Sequence, residues 1–427
     1  MSNRYKFLPI FPEILLDTNS NNAVKLSHKI MKQIFISIST FMWRIKRANI
    51  GHALRLSSLL FLFWMSTATV LAVSPPSPSK IYSLAFFAPR GEGDPFWGLF
   101  IGFMQKAVDD FGAELRVHYA DGNREKMRQQ IAREATSKNR ADVLVFPNFK
   151  KGGENFLKII EENQVPAFVV NSGFTEDEQV GLPREKYKFW IGELLPAEQD
   201  VGALLAEKLI EEGLRIQLGS NKLPLEMIGI TGIVSDYAAI QRTKGLQQIV
   251  KNYPEIRLRQ IVPANWSEDD AAKSFSMLKR RYPNVTLIWS ASDVMAQGVI
   301  RSAKILGLVS GKDFLVGGID WAQAGLQSVS KGDQHVSIGG HFMEGGWVVV
   351  LIYDYLKGSD FAELNLSSRS SMTSVTAPEW QKQKKRRESI KPEFIDFKRY
   401  SRFLNPENSS YDFGLNDFGL KSLIADK

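Results

Sequence analysis

Phe96 and Trp97 stand side by side after an apolar run, inside Asp94-Pro95-Phe96-Trp97. The apolar face of a hydroxyl-rich ring loses water readily against an aromatic plate, and its C–H edges meet the electron-rich ring face. With adjacent rings, one can face a cleft while the other packs a core; simple core packing at a helix start is the alternative for both. Arg242 carries five N–H donors in a fixed fork, suited to a two-pronged grip on hydroxyls or a carboxylate. Its alternative is a surface position on a helix, since Lys244 is close by. Asp320 ends the apolar run Val316-Gly-Gly-Ile-Asp320, where a carboxylate can accept two hydroxyl hydrogen bonds, and charge-assisted bonds are the strong ones. Capping the next helix is its other role. Asp293 also precedes a helix, and there capping is the first expectation. Arg90 and Asp94 stand at the mouth of the first strand. This set of residues suits reversible capture of a small polar ligand.

Catalytic constellations are missing by comparison. The 427 residues include no cysteine, so thiolate nucleophiles, disulfides and Cys-held zinc are excluded. None of the five histidines forms an HxH or HxxxH pair. No GxSxG or HExxH motif occurs. No catalytic residue, metal site or cofactor is expected, and a carboxylate pair in a cleft is the one route to hydrolysis left open.

The elements that position these residues alternate. Strands are predicted at Ile81–Ala88, Leu115–Tyr119, Asp142–Pro147, Pro166–Asn171 and Phe189–Ile191. Helices are predicted between them at Phe100–Phe111, Arg124–Lys138 and Asn155–Glu162, with Ala197–Glu212 after the last strand. The pattern then starts again, with strands at Glu226–Thr231, Leu258–Val262, Thr286–Ser290, Phe314–Ile319 and Gln334–Ser337. Its helices are Ala238–Asn252, Glu268–Arg281, Met295–Leu306 and a final one at Gly345–Leu356. Such alternation implies parallel sheets covered on both faces, here an α/β protein of two doubly wound lobes. Ligands in such sheets sit outside the carboxyl ends of the strands. After Gly358 the pattern lapses. Residues 359–380 are rich in Ser and Thr, Lys382–Arg387 reads as a solvated basic loop, and the aromatic segment Phe394–Phe413 reads as a tail packing back on the hinge or a lobe.

The net charge of +8 is misplaced for a nucleic-acid grip. Residues 1–72 hold nine Lys/Arg against two acids, which leaves the rest at +1. Within that segment Met42-Trp-Arg-Ile-Lys-Arg47 precedes an apolar core from Leu56 to Leu71, then Val70-Leu71-Ala72 and the prolines 75, 76 and 78. This order predicts an export signal cleaved near Ala72, with the natural start at Met42 or Met31; an uncleaved anchor is the alternative.

The order of Asp94-Pro-Phe-Trp97, Arg242 and Gly245, Ala264-Asn-Trp266, Ser290-Ala-Ser-Asp293 with Met295 and Gly298, and Val316-Gly-Gly-Ile-Asp320 resembles the type I periplasmic binding proteins. This is the ribose/galactose-binding superfamily, which includes autoinducer-2 receptor-like proteins. The resemblance spans about residues 80–358. It implies two lobes joined by three crossovers: residues 80–190 plus 341–358 as lobe one, and 192–339 as lobe two. Residues 359–427 would form a tail on the hinge or a lobe.

It also implies a role for individual residues. Trp266 would complete an aromatic sandwich from the second lobe, or cap the helix at Glu268. Arg242 matches the ligand arginine of the family. Ser292 stands where the sugar binders usually carry Asn. Asn171 stands where the ribose binder has Asp, and Ser172 where it has Arg. His341 falls at the second crossover, as a pH-sensitive ligand donor or a plain hinge residue. The resemblance implies a periplasmic protein that closes around a sugar-like ligand, with a membrane permease of an ABC transporter as partner. The alternative partner is a membrane sensor. A repressor of the same fold would need a DNA-binding head where the signal-like segment stands.

Overall fold

The structure, a computed structural model, describes residues 81–216, 218, 224–388, 391–411 and 413. The expected export signal lies outside these residues. Among them no helix is long and apolar enough to cross a membrane.

Two six-stranded sheets carry the fold. In the first, β1 (Ser83–Ala88), β2 (Glu114–Tyr119), β3 (Val143–Phe146), β4 (Ala167–Val170) and β5 (Trp190–Pro196) are joined by β11 (Ser367–Ser370) in the order β11-β5-β4-β3-β1-β2. The second has β6 (Leu225–Thr231), β7 (Ile256–Pro263), β8 (Val285–Ser290), β9 (Leu315–Ile319), β10 (Val336–Gly339) and β12 (Thr373–Thr376), ordered β12-β10-β9-β8-β6-β7. All neighbours are parallel except β10 and β12. Two doubly wound α/β lobes follow, as the alternation predicts.

Strands β1, β3, β4, β8 and β9 are largely apolar because both faces are covered. Period-two alternation in β1 sends Phe86 into one hydrophobic cluster and Phe87 into another, on opposite faces of the sheet. Among the described residues, ten helices accompany the sheets. With the first are α1 (Pro95–Phe111), α2 (Arg124–Thr136) and α3 (Gly153–Asn163); after β5 come α4 (Glu198–Arg215), α5 (Tyr237–Val250), α6 (Glu268–Arg281), α7 (Asp293–Ile305) and α8 (Gln323–Lys331). Then follow α9 (Glu344–Leu356) and α10 (Ala377–Glu388).

Local chemistry shifts several boundaries from their expected places. The first helix begins at Pro95, not Phe100, because proline presets the helical φ at the first position and Asp94 caps it, accepting from the Phe96 and Trp97 amides. Phe96 and Trp97 therefore lie on a helical turn and not in a loop. β5 extends to Pro196 within the first sheet, so the chain changes sheet at 196–198. Segment 359–380, which carries no apolar pattern, contributes β11 and β12, one strand to each sheet. The basic run lies on α10 and not in a loop.

The chain passes between the sheets after β5, after β10 and between β11 and β12. It passes a fourth time after α10. That helix packs on α8 and β12, whereas residues 392–400 pack on α1 and α9. The tail is held by Phe397 and Tyr400, both buried against the first lobe. Buried Asp354 accepts from the Arg402 amide at 2.7 Å, from the Tyr411 hydroxyl at 2.9 Å and from the Ser401 hydroxyl. Phe397 fills the space over Gly346 of α9. Phe397→Ala should therefore lower unfolding free energy by about 3 kcal/mol or more, as cavity formation at a buried phenylalanine does. Urea denaturation checks this; a loss below about 1 kcal/mol would show that the tail is not part of the cooperative core.

Candidate functional site

Strand carboxyl ends from both sheets face one another across a cleft of about 670 Å³. The first lobe supplies Arg90, Asp94, Phe96 and Trp97 after β1 and Asn171 after β4. The second supplies Arg242 from α5, Trp266 after β7, Ser292 after β8 and Asp320 after β9. His341, after β10, lines the cleft from the crossover. These are ten of the eleven expected residues.

Asp293 is the exception. Its carboxylate turns inward and accepts from Gln334 Nε2 at 2.7 Å, Ser337 Oγ at 2.8 Å and the Ala322 amide at 3.0 Å. It is not the helix cap either; Ser292 Oγ caps α7 by accepting from the Met295 amide. Ser292 therefore reaches the cleft as a cap. Asp94 likewise reaches it with one carboxylate oxygen occupied by the two α1 amides.

Aromatic side chains line the cleft from both lobes. Phe96 is half-buried, stacks on His341 with centroids 4.6 Å apart, and meets Trp97 edge-on at 5.1 Å. Trp97 is only 8 % exposed and packs with Phe86 and Phe100. It divides its surface between cleft and core. Trp266 faces them from the second lobe, with the Arg242 guanidinium 5.8 Å from its ring centre. Its indole N–H donates to Asp236 Oδ2 at 2.9 Å.

Arg242 is 3 % exposed, a buried residue and not a surface one. Its Nε and Nη2 donate to the two carboxylate oxygens of Glu198 at 2.5 and 3.0 Å. Nη1 donates to the Ala291 carbonyl at 2.7 Å and to Asp320 Oδ1 at 3.3 Å. Helices α4 and α5 cross closely enough for this because Gly202 and Gly245 face them. A Cβ at either would come within 2.0 Å of a carbonyl oxygen on the other helix.

Burial sets the proton affinities. It pushes Asp320 well above the usual carboxylate range, with Arg242 pulling back and Asp293 and Glu198 adding to the rise. His341 is held well below the usual imidazole range by burial first and Arg242 second, so its ring stays neutral at neutral pH. Of the two roles expected for His341, a neutral ring suits the plain hinge residue. Burial also raises Asp236, against the Trp266 N–H and Lys150.

Asp236, Asp121, Phe149 and Glu198 escaped the sequence reading. The first three line the cleft, and Asp236 Oδ1 is buried with no hydrogen-bond partner among the described residues. Asp236 stands just before an apolar helix, where its only local signal is that of a cap. Among the described residues no cluster of His, Cys, Asp and Glu could hold a metal ion.

Residues 84–360 match the periplasmic binding protein domain family. The chain belongs to that family. The galactofuranose-binding protein YtfQ of Escherichia coli is 23% identical over 285 residues, 64% of this chain and 83% of that protein. The D-apiose import binding protein of Actinobacillus succinogenes is 24% identical over 62% of this chain and 79% of its own length. Among solved structures, a periplasmic sugar-binding protein from Pseudomonas fluorescens superposes with a TM-score of 0.71 at 26% identity, covering 80% of this chain and all of that one. A galactofuranose binding protein superposes with a TM-score of 0.63 at 16% identity, over 72% of this chain. These relatives are solute-binding proteins of the type I architecture, as the order of motifs implied.

Asp293 gives this periplasmic binding protein a pH signature. Burial pushes its folded pKa up to about 7, against the Gln334 and Ser337 hydrogen bonds. The native state thus keeps a proton that the unfolded chain has released. That contribution to stability is complete below the ordinary carboxylate range and is lost as pH rises through about 7, by up to about 1.4 kcal/mol per pH unit. Thermal melts of wild type and Asp293→Asn across this range should show a fall that the variant lacks. Equal slopes would overturn the assignment.

Proposed function

We propose that this chain is an exported solute-binding protein that closes around a sugar or sugar-like ligand and delivers it to an ABC importer. The observation that carries the reading is the two-walled cleft. Aromatic plates come from opposite lobes, with Phe96 on one side and Trp266 on the other, and carboxylates at the strand ends of the second lobe stand ready for hydroxyl donors. The named ligands of relatives, galactofuranose and D-apiose, are of this chemical type.

In this reading lobe one comprises the first sheet with α1–α3 and α9, and lobe two the second sheet with α4–α8 and α10. The N-terminal segment directs export to the periplasm, with cleavage near Ala72. Closure is a hinge motion about the crossovers, and a ligand that touches both lobes stabilises the closed form. Arg90 Nη2 lies 3.4 Å from the Asn265 carbonyl across the mouth, a contact between lobes that closure would keep. In this reading the protein binds its ligand without altering it, in keeping with relatives that are named as binding proteins.

Asp320→Ala tests the site. Arg242 stays paired with Glu198 in this variant, so the fold should survive while hydrogen bonds between the Asp320 carboxyl group and ligand hydroxyls are lost. About 1.5–3 kcal/mol of binding is at stake, or roughly 10–100-fold in Kd. Trp266→Ala should weaken binding comparably by removing one wall. Trp97→Ala is a poorer test because that ring also packs the core. Isothermal titration against a panel of aldopentoses and aldohexoses, in both ring forms where available, reads the outcome. Unchanged affinity in both Asp320→Ala and Trp266→Ala would place the ligand elsewhere.

A further inference from the structure

Arg242 is the cationic side chain at the floor of the cleft, and its fork would be a natural receptor for a ligand carboxylate or phosphate. The structure closes that option. Nε–H and one Nη2–H run to Glu198, both Nη1–H groups run to the Ala291 carbonyl and Asp320, and the remaining Nη2–H faces His341 Nε2 at 3.5 Å. Four of the five N–H bonds of the guanidinium are thus committed and the fifth faces an imidazole nitrogen, which leaves no free pair for a two-pronged grip on an anion. Glu198 is itself fully buried and lies behind Arg242, so no ligand can displace it from the cleft side without opening the α4–α5 contact.

The rest of the lining points the same way. The lining holds Glu92, Asp94, Asp121, Asp236 and Asp320 beside Arg90 and Arg242, so acidic side chains outnumber basic ones there. Asp236 Oδ1 is an unpartnered buried acceptor waiting for a donor. An anionic ligand would bring further acceptors to a wall already rich in them and leave them desolvated and unpaired.

We propose that Glu198 decides the charge class of the ligand: by occupying the Arg242 fork it reserves the cleft for uncharged or amino-bearing polyhydroxylated rings and excludes their carboxylate and phosphate forms. This rests on the reading of the cleft as a sugar site. Glu198 touches no ligand; it acts through Arg242 as a positioning residue.

The test is a set of matched ligands titrated into the mature wild-type protein and Glu198→Gln: aldoses, the uronic acid of each, and the amino sugar of each. In the wild type the bound aldose should exceed its uronate by about 100-fold or more in affinity, the scale of an unpaired or like-charge contact in a closed site. Glu198→Gln keeps one acceptor and nearly the same shape but releases part of the fork. It should gain at least about tenfold for the uronate while changing less for the aldose. A structural role alone would weaken all ligands together.

The inference is overturned if wild type binds the uronate within about threefold of the aldose, or if folded Glu198→Gln discriminates as fully as wild type. Should the variant not fold, the wild-type ratio decides alone. If no aldose, uronate or amino sugar binds the folded wild type, the sugar reading itself falls, and this inference with it.

Discussion

One buried guanidinium organises the floor of the cleft. Arg242 ties α5 to α4 through Glu198, to the end of β8 through Ala291, to the end of β9 through Asp320, and to the β10 crossover through His341. Desolvating such a charge is costly, and removing one partner of a buried pair typically costs about 3–5 kcal/mol. The pair persists because its partners satisfy each other geometrically, two parallel N–H···O bonds in one plane. The helices can supply that geometry only because Gly202 and Gly245 let their backbones meet. The residue that shapes the floor of the cleft thus also cements the second lobe.

Part of the strained backbone lines the same cleft. Asn171, Asn265, Trp266 and Asp320 all have positive φ, at 60°, 53°, 60° and 117°. For Asn the cost is small, since its side chain tolerates the left-handed region. For Trp266 and Asp320 it is larger, and the surrounding sheet ends must hold the backbone there. What the strain obtains is direction. A strand that ends in ordinary geometry would carry its next side chain along the sheet, whereas these turns aim a ring and a carboxylate across the gap.

The hinge is similarly made of long-range contacts. Glu344, at the start of α9, is fully buried, and burial pushes it well above the usual carboxylate range. Its Oε1 accepts from the hydroxyl of Ser370, the last residue of β11, so the second and third passages between lobes are joined at their turning points. Glu198 stands directly after the first passage. The fourth passage, through the tail, adds aromatic packing to α1 and α9. Buried polar contacts thus join the passages between the lobes, with a hydrophobic anchor beside them.

Much of this architecture was legible in the residue order. Runs such as SLAFFA and VTLIWS can only be strands covered on both sides, and amphipathic segments between them can only be the covering helices, so two doubly wound lobes with strand-end loops followed from local periodicity. The aromatic and carboxylate candidates were legible for the same reason, since a polar or aromatic residue just after an apolar strand must emerge at its carboxyl end. What tertiary structure alone decided is the partnership of those residues. β11 and β12, SSRS and TSVT, carry no apolar signal and exist because an existing sheet edge pairs with them. Asp293 and Asp320 look alike in sequence, yet one is a buried hub for three donors and the other a wall of the cleft. Arg242 reads as a free ligand arm until Glu198, 44 positions earlier, is folded against it. Periodicity is a property of neighbours along the chain; the pairing of buried charges is set by which backbones can approach in space, and no local pattern encodes that.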